Sequence, residues 1–317
     1  MKSLFLSSLL ALGLLAVPAQ AAEYPAKPIT LMTAFNAGGG SDVSHRLLEK
    51  FAKGVFDQPI VVTYKAGAGG EIGWTWLVGA KADGYTIGGV DLPHIVLQPM
   101  LRPEGQPGYK TEQLSPLCGL VYDADVVMVP EDGPYKTFKD LIEYAKANPG
   151  KVKVATVGKL TGDHLFLMQI EKLTGAKFTQ VPYSGSGKAI PALLSGEVDA
   201  YFGSGSSFLR MEKTRGLAIG SKERYELCPD VPTFIEQGYA IESGKYRGLT
   251  TPQNIPAEAR QYLETKFAEL CANPEYQKAV KSSGLMPQFQ SGKVFGEIIR
   301  TEGEQAKKIL EAYGLLK

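Results

Sequence analysis

The feature that most constrains this chain is a glycine-rich turn that recurs between an apolar run and a helix-forming run. It occurs as FNAGGGSD (35–42) and KAGAGGEIG (65–73), and in similar character as TVGKLTGDH (156–164) and PYSGSGK (182–188). Short apolar runs alternating with amphipathic ones are the signature of layered α/β architecture. Glycine turns the backbone through positive φ and leaves amides unshielded by Cβ. Each turn opens a helix, whose first N–H groups are unpaired and carry a partial positive charge that attracts anions. Four such turns point to a cleft that grips a small anionic molecule by its edges.

The alternation continues along the chain. Strands are expected at 29–35, 60–64, 85–91, 126–129, 152–156, 178–181, 199–202 and 216–219. Helices are expected at 42–53, 71–81, 137–147, 162–173, 188–195, 256–271, 274–282 and 293–313. In the first helix Val43, Leu47, Leu48 and Phe51 share one face. Prolines and glycines are spread throughout, with no tandem repeat and no low-complexity linker. If there are two domains, which 317 residues would allow, the chain crosses between them more than once. The polar strand at 122–125 and the segment 240–248 are the candidate crossings. Crossing strands beside a cleft would make a hinge.

The opening has the layout of a secretory signal peptide. Met1 and Lys2 precede an apolar stretch from Leu4 to Val17, then Pro18 and the small-residue site Ala19-Gln20-Ala21, so cleavage is expected before Ala22. The stretch falls short of the ~20 residues of a spanning helix, and no cysteine at the site invites a lipid anchor. Residues 1–21 are therefore read as a leader, and the mature chain as lying outside the cytoplasm. Lys2 is the leader's one charged residue, so removing it takes the formal charge from +1 to 0. A neutral balance without basic runs argues against a nucleic-acid partner. Cys118, Cys228 and Cys271 would allow one disulfide in an oxidising compartment, or be buried as small apolar side chains. Their spacing fits no zinc or redox motif. The three scattered histidines, His45, His94 and His164, make no metal site.

Rival chemistries match poorly. Gly67-x-Gly69-x-x-x-Gly73, followed by a strand ending at Asp91, imitates a dinucleotide fingerprint, but it is one residue longer than GxGxxG and the chain is exported. SGSGKAI lacks the first glycine of a phosphate loop and the hydroxyl residue after its lysine. A hydrolase would have to be built on Ser41, Asp42 and His45, with no GxSxG. No cofactor is expected.

Read in order, several segments resemble a known family: FNAGGGSD, KAGAGG, ADGYT, KTFKDLIEYAKANPGKVKVATVG, VPYSGSGKAIPALLSGEVDAYF, RGLAIGS, PDVPTFIEQGY and TPQNIPAE. The chain resembles, over essentially all of its mature length, the extracytoplasmic receptors of tripartite tricarboxylate transporters, the Bug receptors. VPYSGSGKAIPALLSGEVDA and PDVPTFIEQG are the most specific parts. The resemblance implies a two-lobed α/β periplasmic binding protein, type II-like, with mixed sheets flanked by helices and a hinge between the lobes. Lobe 1 would comprise 22–124 and 243–317, lobe 2 125–242. It implies a monomeric receptor, not an enzyme, that closes on a small organic acid and delivers it to membrane permease subunits. A di- or tricarboxylate, an acidic amino acid and an aromatic acid all remain open, as does a sensory rather than transport role. Carried over onto this sequence, the ligand-binding residues would be Phe35, Gly38, Gly39, Ser41 and Asp42; Gly67, Ala68 and Gly69; Thr156, Gly158, Thr161 and His164; and Ser184, Gly185 and Ser186. Amides of Gly38, Gly39, Ala68 and Gly69 would receive one carboxylate, and Thr161, His164 and Ser184 the other end. Asp42 would cap the helix that follows Gly40 and orient a hydroxyl or water.

Departures from the family pattern bear on the ligand. Glu71 stands where these receptors usually carry Asn, and a carboxylate there either faces solvent or demands a donor on the ligand. Lys65 replaces an Arg-Pro, keeping the charge but losing the planar fork. Trp74 and Trp76 replace small residues, as lobe packing or as an aromatic wall. Lys159 and Asp163 stand in the third turn in place of small polar residues.

Overall fold

The computed structural model describes residues 23–102 and 108–316; the expected leader lies outside them. In chain order the elements are β1 (Ile29–Thr33), α1 (Gly40–Ala52), β2 (Ile60–Tyr64), α2 (Glu71–Val78), β3 (Thr86–Leu92), α3 (His94–Leu101), β4 (Leu114–Pro130), α4 (Phe138–Ala147), β5 (Lys153–Thr156), α5 (Gly162–Thr174), β6 (Thr179–Pro182), α6 (Ser186–Leu194), β7 (Ala200–Ser204), α7 (Gly205–Phe208), β8 (Thr214–Ile219), β9 (Gly244–Pro252), α8 (Ala257–Ala272), α9 (Pro274–Ser282), β10 (Met286–Ser291) and α10 (Gly292–Ala312).

The strands follow the order β2-β1-β3-β9-β4-β7-β5-β6, with β8 and β10 also on β4. β1 runs parallel to β2 and β3, and β5 parallel to β6 and β7, while the pairs onto β4 are antiparallel. Both sheet regions are thus mixed and flanked by helices, as expected. β4 organises them. Its residues 114–124 pair with β9, and its residues 125–130 pair with β7 and β8. At the changeover the Asp125 amide donates to the Ser243 carbonyl at 3.0 Å, so β4 and β9 run side by side where the chain passes between the two halves.

Each half buries its own apolar cluster. Ile29, Leu31, Leu48, Leu263 and Phe267 join β1, α1 and α8 in one; Phe138, Phe166, Phe202 and Phe234 join α4, α5 and β7 in the other. A further cluster, with Trp74, Val90, Leu92, Val126 and Phe295, lies between them. Burial of each such side chain stabilises by roughly 1.5–3 kcal/mol. Side-chain caps occur at both the cleft and the periphery, α5 at the cleft being capped by Thr161. α4, α9 and α10 are capped by the side chains of Thr137, Asn273 and Ser291. α1, α2 and α6 begin at Gly39, Gly70 and Gly185 with no side-chain cap, which leaves backbone amides at those ends for another acceptor.

Candidate functional site

The four glycine-rich turns meet in pairs across the two halves. The turn before α1 faces the turn before α6: Asn36 Nδ2 donates to Ser184 Oγ at 2.5 Å, and a Cβ placed on Gly187 would come within 2.2 Å of the Ala37 carbonyl oxygen. The turn before α2 faces the turn before α5. There a Cβ on Gly158 would lie 3.4 Å from Gly69 Cα. Gly67, Ala68, Gly69 and Gly70 all have positive φ, at 133°, 48°, 68° and 101°, a path that glycine adopts freely and alanine only at some cost. Gln98, fully buried on α3, spans this second pair. Its Nε2 donates to the Leu160 carbonyl at 2.8 Å, and more weakly to Lys159 at 3.3 Å and Gly69 at 3.4 Å. This is a closed cleft.

Between the paired turns lies a small cavity of about 20 Å³, partly open to solvent, lined by Phe35, Gly39, Gly40, Ser41, Asp91, His94, Val157, Ser186, Ser204, Lys245 and Arg247. Its floor is a buried ion network. Arg247 on β9 reaches Asp91 through Nε at 2.9 Å, Asp123 through Nη1 at 2.5 Å and Ser204 through Nη2 at 3.1 Å. Lys245, two residues earlier and on the same face, bridges Asp163 at 2.8 Å and Asp125 at contact distance. Burial opposes both cationic charges, but the aspartates outweigh it and hold both groups above their ordinary pKa. Burial pushes Asp91 up, with Arg247 pulling it back, and drives His94 well below the ordinary histidine value. The guanidinium lies against the first turn of α1, where a Cβ on Gly40 would come within 2.7 Å of Nη2.

Of the fifteen residues expected at the site, Phe35, Gly39, Ser41 and Ser186 line this cavity. The others hold the turns. The Gly38 amide donates to Asp42 Oδ2 at 2.8 Å, and Tyr64 donates to the other Asp42 oxygen at 2.5 Å. Asp42 therefore braces the turn from inside α1, while Gly39 is the N-cap position. Thr161 caps α5 and donates to the Gly158 carbonyl at 3.0 Å; Thr156 accepts from Gln180 at 2.8 Å. His164 Nδ1 accepts from the Leu160 amide at 3.3 Å. Ser184 is engaged with Asn36, and Gly185 packs against the Asn36 amide. Gly67, Ala68 and Gly69 form the second turn, outside the cavity wall.

The residues that depart from the family pattern resolve into packing and pairing. Glu71 forms an ion pair with Arg102 and accepts from the Gly108 amide at 3.3 Å, so its charge is neutralised away from the cavity. Trp74 is fully buried, edge-on to Phe35 and Tyr109, with its indole N–H on the Gly89 carbonyl at 3.1 Å. Trp76 is 37% exposed and carries the Lys65 ammonium 5.2 Å above its ring. All three cysteines are buried and free. Ser41, Asp42 and His45 do not form a relay: Ser41 bonds to Asp91 and His45 to Thr33. Asp91, the ribose ligand of a dinucleotide reading, is committed to Ser41 and Arg247. Among the described residues no group of three or more metal-ligating side chains comes together, and no helix is long and apolar enough to cross a membrane.

Seven wall residues were not among the fifteen expected at the site: Gly40, Asp91, His94, Val157, Ser204, Lys245 and Arg247. One signal for the cations was present. Asp123-x-Asp125 and Lys245-x-Arg247 place like charges on one face of each candidate crossing strand, and the two faces are complementary.

Two halves joined by paired strands, closing glycine turns over a buried polar cavity, define a periplasmic binding-protein fold. Solved structures of that fold superpose closely. One titled "Structure of a periplasmic transporter" matches with a TM-score of 0.88 and 28% identity, over 92% of this chain and 99% of that one. The periplasmic binding protein BugD matches with a TM-score of 0.87 and 26% identity, over 93% and 100%. Protein BugT of Bordetella pertussis is 35% identical over 283 residues, 86% of this chain and 85% of BugT. The family model described as "Tripartite tricarboxylate transporter family receptor" matches residues 45–315. The chain belongs to that family.

Proposed function

We propose that this protein is a periplasmic solute-binding receptor that closes on a small organic carboxylate and hands it to the membrane permease of a tripartite tricarboxylate-type transporter. The observation that carries this reading is the convergence of uncapped, glycine-led helix starts from both halves on one buried cavity. The Gly39 amide on the cavity wall receives the carboxylate, and the Ala68 and Gly69 amides of the neighbouring turn reach it through water, while the Gly38 amide stays with Asp42. Phe35, Ser41 and Ser186 complete the contacts. Thr156, Gly158, Thr161, His164, Ser184 and Gly185 set the shape of the opposing turns. Lobe 1 is 22–124 with 243–317, lobe 2 is 125–242, and β4 and β9 form the hinge. Closure follows from differential affinity: the ligand's bonds to both lobes exist only in the closed state.

The receptor acts as a monomer after removal of residues 1–21 and catalyses no reaction. The pairing of Glu71 with Arg102 removes the objection to an acid ligand that the sequence raised. Family membership supports the transport role. A thermal-shift screen of the mature chain against small organic acids and their uncharged analogues tests the reading. At a hundredfold excess over Kd a true ligand stabilises by about 2.7 kcal/mol. Saturable stabilisation by one class of acid, with the acid recovered unchanged, is the expected outcome. Response to neutral compounds alone, or conversion of the acid, would overturn it.

A further inference from the structure

The charge in the cleft floor is unbalanced. Asp91, Asp123, Asp125 and Asp163 are buried with only Lys245 and Arg247, each of the six at most 3% exposed. Arg210, the next cation, is only half-buried, lies outside the cavity wall and turns Nη1 to the Ser283 carbonyl at 3.4 Å. The two buried cations are paired, Arg247 with Asp91, Asp123 and Ser204 and Lys245 with Asp125 and Asp163, although Arg247 Nε meets Asp91 as an ion pair without a hydrogen bond. The other three aspartates also accept from their own surroundings, although Asp163 Oδ1 meets only Lys245, as an ion pair without a hydrogen bond. Asp123 takes the Ser206 amide at 2.8 Å and its hydroxyl at 2.5 Å. Asp125 takes the Ser243 hydroxyl at 2.6 Å and Asp163 the Val157 amide at 3.0 Å.

Asp91 differs from them in two ways. It receives only Ser41 and Arg247, leaving acceptor capacity on Oδ2, and it alone of the four lines the cavity. Beside it on the wall is His94, 1% exposed, whose Nδ1 has no hydrogen-bond partner among the described residues. A ligand carrying only carboxylates would bring more negative charge to a buried site whose cations are already taken, which is costly. A ligand that also carries a protonated amine brings one negative charge fewer, and its N–H groups match the acceptor capacity left on Asp91.

The geometry points to a small zwitterion, a molecule bearing a protonated amine as well as a carboxylate, with Asp91 as the residue that selects the amine. The glycine turns hold the carboxylate and the ammonium donates to Asp91. This rests on the receptor function proposed above and narrows its ligand class.

The test compares matched acids with and without the amine, alanine against propionate and aspartate against succinate, by calorimetry on the mature chain. In the better-bound pair the amine-bearing acid should bind at least about tenfold tighter to the unaltered protein, the scale of one charge-assisted hydrogen bond. In Asp91→Asn, checked for folding by its melting curve, that preference should shrink to about threefold or less. If Asp91→Asn does not fold, the comparison on the unaltered protein still decides. Equal or tighter binding of propionate or succinate, or an undiminished preference in a folded Asp91→Asn, overturns the amine reading and leaves the carboxylate receptor standing. Failure of all four acids, with binding of uncharged compounds instead, overturns both.

Discussion

Gly187→Ala separates closure from folding. Gly187 sits in the first turn of α6 without a positive φ, so alanine suits its backbone, and replacing glycine in a helix gains up to ~1 kcal/mol. In the closed cleft the new methyl would lie 2.2 Å from the Ala37 carbonyl oxygen and 3.3 Å from its carbon. Both neighbours are backbone, so neither can swing aside, and the two turns must part by roughly 1 Å to reach ordinary contact. Overpacking of this kind costs about 1–3 kcal/mol. The cost falls on the closed, liganded state alone, so affinity should drop about 5- to 150-fold. The unliganded, open receptor should be as stable as before or slightly more so. Calorimetric titration with whichever acid binds, alongside thermal melts of the unliganded protein, reads the two effects separately. Unchanged affinity in the folded variant would refute the reasoning, because the turns would then not meet in the bound state. A loss of stability matching the loss of affinity would also refute it.

Other perturbations probe the same geometry. Gly39→Val directs a branched side chain at Ser186 Oγ, 2.9 Å from its Cβ; binding should weaken at least about tenfold while the melting temperature moves little, and equal losses in both would contradict the placement. Glu71→Asn breaks a half-exposed pair with Arg102; stability should fall by about 1 kcal/mol or less with ligand affinity unchanged, so a tighter or weaker Kd would put Glu71 in the pocket after all. Burial, with Arg247 nearby, lowers His45 to about 4, against ~6.5 in the unfolded chain. The unfolded state therefore binds more protons between those values, so the His45 contribution is present above pH ~6.5 and is lost as the pH falls toward 4, up to about 1.4 kcal/mol per pH unit. Because Asp91 and Asp125 are shifted upward and act in the opposite sense, the comparison to make is with His45→Gln, whose denaturant stability should depend less steeply on pH in that window; parallel curves would count against a neutral buried His45.

The parts of this molecule that were legible are those with local causes. The strand at 60–64 and the helix at 137–147 fall where the alternation places them, the helix beginning at a Thr137 cap. The four glycine turns sit at the cleft because a turn of that kind can serve close backbone approach. What escaped has non-local causes. α3 runs between Pro93 and Arg102 with Pro99 inside and is apolar around most of its surface, so no helical period marks it; yet it carries His94 and Gln98. The crossings at 122–125 and 240–248 were legible, but the burial of Asp123, Asp125, Lys245 and Arg247 on them was not, because charges that interrupt an apolar strand pattern ordinarily face water. They are buried only because each finds its partner about 120 residues away, as Arg247 finds Asp123 at a separation of 124. Trp74 and Glu71, conspicuous as departures from the family pattern, have structural occupations: a buried indole against Phe35 and a carboxylate held by Arg102.

Small-angle X-ray scattering of the mature receptor with and without a saturating small organic acid tests the central claim most directly. If β4 and β9 are a hinge and the glycine turns close over a carboxylate, the radius of gyration should fall on adding the acid and return when it is dialysed away. A radius that does not change, while calorimetry shows the acid bound, would contradict closure as the way this protein takes its ligand.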